Sequence, residues 1–239
     1  MIHSLLRQSR KPHLDTKGHI KEINEDFLTH KVVGNLHFLS VMDGCSGGKD
    51  SVFASNLFGK IFNKYFQIDP TGLSLSQISL EINEYLWRNV FYIKDILGLQ
   101  TNELESTFIC LIFNADTKEY YCSFVGDGYL MVDGELTENP QDNKPKYVSH
   151  FDKRDTFLEN VNVFAGVFQS SIGIASDGIK SFVDFASNTK IEIGDYFFRN
   201  ARFPQNPTKL SRLYKLLIEG NGVAKALNHD DVAIIYYEC

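Results

Sequence analysis

The sequence predicts an α+β layered domain with antiparallel sheets. Three observations predict it. Short runs rich in β-branched and aromatic residues fall into two groups, one early and one late in the chain. Two long stretches with apolar residues at helical spacing lie between them. Strand and helix never alternate one-to-one, as a parallel sheet with crossover helices would require. At 239 residues, with 43% apolar and 23% charged side chains, the chain has enough apolar material for one large, well-filled domain spanning 1–239.

In chain order, residues 1–17 are polar and basic without an apolar signal core, and disorder is expected there. Phe27 to Met42 reads as two strands joined at Gly34-Asn35. From Ser51 to Phe66, the residues Phe53, Leu57, Phe58, Ile61, Phe62 and Tyr65 recur on one helical face. A second helix is predicted from Ser74 to Leu97, with Ser74 as N-cap and Gly98 as C-cap. Strands follow at 106–114, 120–126 and 129–132, and Asp133-Gly134 is a type I′ hairpin turn. Residues 137–160 read as an irregular, flap-like excursion. Strands return at 161–167 and 171–176, with helices expected near 179–186 and 207–218. Val232 to Tyr237 closes the chain as a strand.

Composition excludes some function classes. A net charge of −6, from 30 acidic and 24 basic residues, lacks the basic face that a nucleic-acid binder needs. No apolar stretch approaches the roughly 20 residues that span a bilayer, so no membrane partner is expected. The four cysteines, Cys45, Cys110, Cys122 and Cys239, show no CxxC spacing. Cys110 and Cys122 sit in apolar runs as buried free thiols, and the cytoplasm is the expected compartment.

Three apolar strands stop at an Asp followed at once by Gly: Val41-Met42-Asp43-Gly44, Phe124-Val125-Gly126-Asp127-Gly128, and Ala175-Ser176-Asp177-Gly178. Asp230-Asp231 leads into the closing strand. Any one Asp-Gly is turn chemistry, and Asp133-Gly134 is read as no more than that. The other three end rigid strands, where a site can hold carboxylates in place. Converging carboxylates repel unless hard cations with oxygen ligands neutralise them.

Six segments in order make the sequence resemble the protein phosphatase 2C family across nearly its whole length. Lys21-Glu22-Ile23-Asn24-Glu25-Asp26 resembles the family's opening Arg-x-x-Asn-Glu/Gln-Asp. Asp43-Gly44-Cys45-Ser46-Gly47-Gly48 resembles its Asp-Gly-x-Gly-Gly, and Glu105-Ser106-Thr107 its Gly-Ser/Thr-Thr. Val125-Gly126-Asp127-Gly128 is similar to Val-Gly-Asp-Ser, and Ile174-Ala175-Ser176-Asp177-Gly178-Ile179 to Leu-Ala-Ser-Asp-Gly-Leu. Asp230-Asp231-Val232-Ala233 is similar to the terminal Asp-Asn/Asp strand.

The resemblance implies a four-layer α-β-β-α sandwich of two antiparallel sheets flanked by helix pairs. It implies two Mn²⁺ or Mg²⁺ ions bridged by Asp43, with the Gly44 carbonyl on one and Asp177 and Asp230 on the other. Glu25 or Asp26 would complete the second site, Asp26 being favoured, and Asp127 would hold a third ion. The implied activity is hydrolysis of phosphoserine and phosphothreonine in a protein substrate by a metal-activated water. A cognate kinase is then an implied partner, and a monomer the expected state.

Lys21 stands where the family has a phosphate-binding Arg, and offers a point charge in place of a bidentate fork. Cys45 stands where some members carry His or Met, Ser181 where some carry a further acidic ligand, and Gly128 and Glu105 replace Ser and Gly. His229 adjoins Asp230, as a metal neighbour or a plain loop histidine. These departures leave a second reading: a pseudophosphatase, binding phosphoproteins as a regulatory module without turnover.

Overall fold

The structure is a computed structural model that describes residues 1–8, 13–14, 20–21, 24–66, 72–139, 141, 145–184, 186–187, 189–191, 210–211, 213–215 and 226–239. For residues 13, 14, 20, 21, 226 and 227 it describes the backbone alone. In chain order come β1 (Ile2–Arg7), β2 (His13–Leu14), β3 (Ile20–Lys21), β4 (Phe27–Val33), β5 (Leu36–Met42), α1 (Ser51–Tyr65) and α2 (Leu75–Leu97). Then follow β6 (Phe108–Asn114), β7 (Glu119–Val125), β8 (Gly128–Val132), β9 (Glu135–Asn139), α3 (Arg154–Glu159), β10 (Asn162–Val167) and β11 (Ser171–Ala175). The chain closes with β12 (Phe182–Asp184), β13 (Ala226–Asn228) and β14 (Val232–Glu238).

Two five-stranded sheets result, in the orders β1-β14-β11-β8-β9 and β10-β7-β6-β5-β4. Every neighbouring pair in them is antiparallel. The period-two alternation of strand side chains sorts the core into layers. On β6, Phe108, Cys110 and Ile112 face α1 and α2, whereas Ile109, Leu111 and Phe113 face the other sheet. Both faces of this strand are covered, which is why Phe108–Phe113 is uninterruptedly apolar and fully buried. On the far side of the first sheet, Val232, Ile234 and Tyr236 pack with Leu210, Leu213 and Tyr214, which lie in helical backbone. The order is therefore helix, sheet, sheet, helix, and the α+β sandwich expected from the sequence is the observed fold.

Side-chain and glycine caps close the helix ends, those of α2 as predicted. The Asp50 carboxylate accepts the Phe53 N–H at 3.1 Å to start α1. Ser74 and Gln77 form a reciprocal capping box on α2, and Gly98 closes it in the left-handed region.

Three expectations are corrected. Residues 1–17 were expected to be disordered, but Ile2–Arg7 forms an outer strand paired with β14, from Ile2↔Tyr237 to Arg7↔Val232. Leu5 is buried there, so this short segment gains core contacts that its polar flanks conceal. The helix expected near 179–186 is a 3₁₀ turn at Asp177–Lys180 followed by β12, because Phe182 and Val183 pair with β13. The 137–160 excursion contains the end of β9, a 3₁₀ turn at Val148–His150 and α3. It is anchored by the Trp87 indole N–H, which donates to the Phe151 carbonyl at 2.8 Å, and by buried Val148 and Phe157. Of the helix expected at 207–218, residues 210, 211 and 213–215 are helical, and the rest lies outside the described residues.

Candidate active site

Strand β5 delivers Asp43, and the residues after it are zipped onto the segment before β6. The Asp43 N–H donates to Thr107 Oγ1 at 2.9 Å, and its carbonyl accepts the Thr107 N–H at 2.8 Å. The Gly44 N–H reaches the Glu25 carbonyl at 3.2 Å, and the Cys45 N–H the Glu105 carbonyl at 3.0 Å. The Asp43 backbone is thus held on both sides before its carboxyl group is considered.

Asp177 follows β11, and Asp230 and Asp231 precede β14, the strand beside it. Ser176 joins the two: its N–H donates to the Ala233 carbonyl at 2.9 Å, and its hydroxyl accepts the Ala233 N–H at 3.0 Å. A Cβ on Gly178 would lie 1.7 Å from the Asp231 carbonyl oxygen, so this close approach of two strand ends demands glycine. Ser181 positions Asp230 by accepting its N–H at 3.1 Å while donating to the Gly178 carbonyl at 2.7 Å.

The segment before β4 adds two buried carboxylates. Asp26 Oδ2 accepts the Ser176 hydroxyl at 2.7 Å, while its Oδ1 is buried with no hydrogen-bond partner. The Glu25 carboxylate instead accepts from Ser51, the first residue of α1.

Asp43, Gly44, Asp127, Asp177 and Asp230 line one cleft of about 170 Å³, together with Cys45, Ser46, Thr107, Pro145 and Tyr147. The carboxyl groups of Asp26, Asp43, Asp127 and Asp177 are pushed toward the protonated form. Burial raises Asp26 well above the ordinary carboxylate range, and Asp231, Asp230 and Asp177 add to it against the Ser176 hydrogen bond. Burial likewise raises Asp43, reinforced by Asp26, Asp177 and Asp230. Asp177 is pushed up to about 6, by burial first and then by Asp230 and Asp127, against hydrogen bonds to Asp43 and the Gly178 N–H. Burial also raises Asp127, helped by Asp230 and Glu138. Mutual repulsion in a partly dry cleft is relieved either by protons or by cations.

The donors fit a hard divalent cation. They are all oxygens, and Oδ1 of Asp26 and Oδ1 of Asp177 are buried without a hydrogen-bond partner. Among the described residues, no group of three or more His, Cys, Asp or Glu side chains stands in an arrangement that could hold an ion directly. The carboxyl groups are gathered around the cleft but not closed on one point.

Of the residues singled out in the sequence, Asp43, Gly44, Cys45, Asp127, Asp177 and Asp230 meet at this cleft, with Asp26 in electrostatic contact. Glu25 is turned to α1. Lys21 lies on β3 opposite His13, and its side chain falls outside the described residues. His229 does not line the cleft; its N–H donates to the Ser181 carbonyl at 3.1 Å. Gly128 has φ +143°, and a Cβ there would meet Ile109 Cδ1 at 2.3 Å and the Ala175 carbonyl at 3.0 Å, so no serine fits. Two residues escaped the sequence reading as individuals. Asp231 binds the Glu25 N–H, and the signal for it was its place beside Asp230. Tyr147 had no signal, because it lies in a segment without a motif.

No family profile matches the chain, and no characterised protein matches it by sequence. Solved structures do. A bacterial serine phosphatase variant matches with a TM-score of 0.68 at 13% identity, covering 100% of this chain and 98% of the other. The catalytic domain of the serine threonine protein phosphatase PstP, in complex with two manganese ions, matches at 0.60 and 15% identity, covering 99% and 97%. The SiaA PP2C domain of Pseudomonas aeruginosa matches at 0.64 and 11% identity, covering 100% and 85%. By this likeness over nearly its whole length, the chain has the protein phosphatase 2C fold.

Proposed function

We propose that the chain hydrolyses phosphoserine and phosphothreonine in proteins, using divalent cations held by the carboxylates of the cleft. The observation that carries this reading is the mutual destabilisation of Asp26, Asp43, Asp177 and Asp230 at one cleft, which bound cations would convert into favourable contacts. Asp43, with the Gly44 carbonyl, and Asp177 with Asp230 would hold two Mn²⁺ or Mg²⁺ ions. Asp26 would complete the set in preference to Glu25, whose carboxylate is engaged by Ser51. Asp127 would serve a third ion. When bound, such ions supply a water acidic enough to attack phosphorus near neutral pH and offset charge on the phosphoryl oxygens. The chain's own polar groups hold the ligands: Thr107 fixes Asp43, Ser176 fixes Asp26, and Ser181 fixes Asp230.

The substrate would be a phosphorylated protein whose kinase is the natural antagonist, and Lys21 the residue that meets the phosphate. The test is hydrolysis of p-nitrophenyl phosphate and a phosphothreonine peptide with Mn²⁺, with and without a chelator. Turnover should need the metal and vanish in Asp43→Asn and Asp177→Asn. Tight peptide binding without turnover would favour the pseudophosphatase, and wild-type-like rates in either variant would overturn the ligand assignment.

A further inference from the structure

Tyr147 stands among the carboxylates without any role in holding them. It is only 7% exposed, and the part that is open lines the same cleft as Asp43, Asp127, Asp177 and Asp230. Its phenol lies within electrostatic reach of Cys45, Asp127 and Asp43. The surroundings fix the ring. His150 meets it edge-on at 5.2 Å, and His150 Nε2 is 3.0 Å from Glu105 Oε1. Glu105 in turn accepts the Cys45 N–H, so the chain of contacts returns to the wall on which Cys45 sits. Val148 and Ser149 are buried, and the Trp87 bond to Phe151 ties this stretch to α2. A tyrosine whose edge faces a reactive cleft while its body is locked in the core is placed to donate a hydrogen bond to something in that cleft.

We propose that Tyr147 is a catalytic residue that donates its phenolic proton to the leaving oxygen of a phosphorylated serine or threonine. The inference rests on the phosphatase reading above and deepens it. The P–Oγ bond breaks and its electron pair goes to Oγ, which takes the Tyr147 proton. The attacking water forms the new P–O bond and releases a proton, and water returns one to the phenolate. The sum is phosphoester plus water giving alcohol plus phosphate. A phenol of ordinary acidity is protonated near neutral pH, so the donor form is present where such a cleft works. A phenol is more acidic than an aliphatic alcohol, so its proton can pass to an alkoxide leaving oxygen.

Leaving-group dependence tests this in the full chain with Mn²⁺. Tyr147→Phe keeps the ring and its packing on His150 and removes only the hydroxyl. On a phosphoserine or phosphothreonine peptide, kcat should fall on the order of 10²-fold, the usual weight of a general acid, with KM little changed. On p-nitrophenyl phosphate, whose leaving group needs no proton, kcat should hold within about twofold, which also reports that the variant is folded. An equal loss on both substrates, or no loss on the peptide, would overturn the assignment. A wild type without metal-dependent turnover on either substrate would instead overturn the phosphatase reading beneath it.

Discussion

Asp231 Oδ2 accepts the main-chain N–H of Glu25 at 2.5 Å, joining residues 206 positions apart in sequence. The bond fixes the segment that carries Asp26 against the segment that carries Asp230, so two halves of the carboxylate set share one fastening. Asp231 itself does not line the cleft.

Asp231→Ala should therefore weaken both the fold and the site. Leaving the buried Glu25 N–H without its acceptor costs about 1–3 kcal/mol. Each kcal/mol corresponds to a fall in Tm of about 2–4 °C for a chain of this size. The rise in Tm on adding Mn²⁺ should also shrink, because Asp26 loses its placement. Melts with chelator and with Mn²⁺ measure both effects; an unchanged Tm in chelator would show that the bond carries no weight.

Cation binding to the folded chain alone should raise its Tm. At a hundredfold excess over Kd the gain is about 2.7 kcal/mol, or roughly 5–10 °C. Asp43→Asn should lose most of this shift, since Asp43 is proposed to hold the cation. Asp133→Asn should keep it, because Asp133 lies at the β8–β9 turn, away from the cleft. Equal shifts in wild type and both variants would place the cation elsewhere.

Asp133 carries a separate prediction about acid. Burial alone would raise its carboxyl group, but N–H donors from Ser170, Gln169 and Ser171 and the Ser170 hydroxyl outweigh this and hold it below the ordinary 3.8. A folded value below the unfolded one contributes stability above the unfolded value and loses it as pH falls through the folded one. Wild type should thus melt higher than Asp133→Asn at pH 5 to 7, and the gap should close below about pH 3.8. A gap that is constant from pH 7 to pH 2 would show that the charge has no part in it.

What was legible in the sequence was whatever repeats at short range. The helical faces of α1 and α2, the Ser74 cap, the Gly34-Asn35 and Asp133-Gly134 turns and the Asp-Gly strand ends all announce themselves within a few residues. The positive φ of Asp133, +52°, matches the mirror-image turn read from the dipeptide. What stayed hidden depends on partners far along the chain. Ile2–Arg7 is a strand only because β14 lies beside it, and Phe182-Val183 extends only because β13 is there to pair. The site divides in the same way. Asp43, Asp127 and Asp177 end strands and Asp230 leads into one, so all four are visible, whereas Tyr147 reaches the cleft through a loop anchored by Trp87, 60 positions earlier.

The position of β14 has a consequence for the order in which the molecule can assemble. This strand sits inside its sheet, between β1 and β11, yet it follows every other described strand in the sequence. The helix-covered sheet can form from residues 27–167 while synthesis continues. The first sheet has a gap until residues 232–238 are available, and neither β1 nor β11 has its neighbour before then. Closing a pairing of such long sequence separation is slow. Asp230 and Asp231 immediately precede that strand, so the carboxylate set is complete only when it is in place. Without it, Asp26, Asp43 and Asp177 lack the Asp230 charge that presses on each of them.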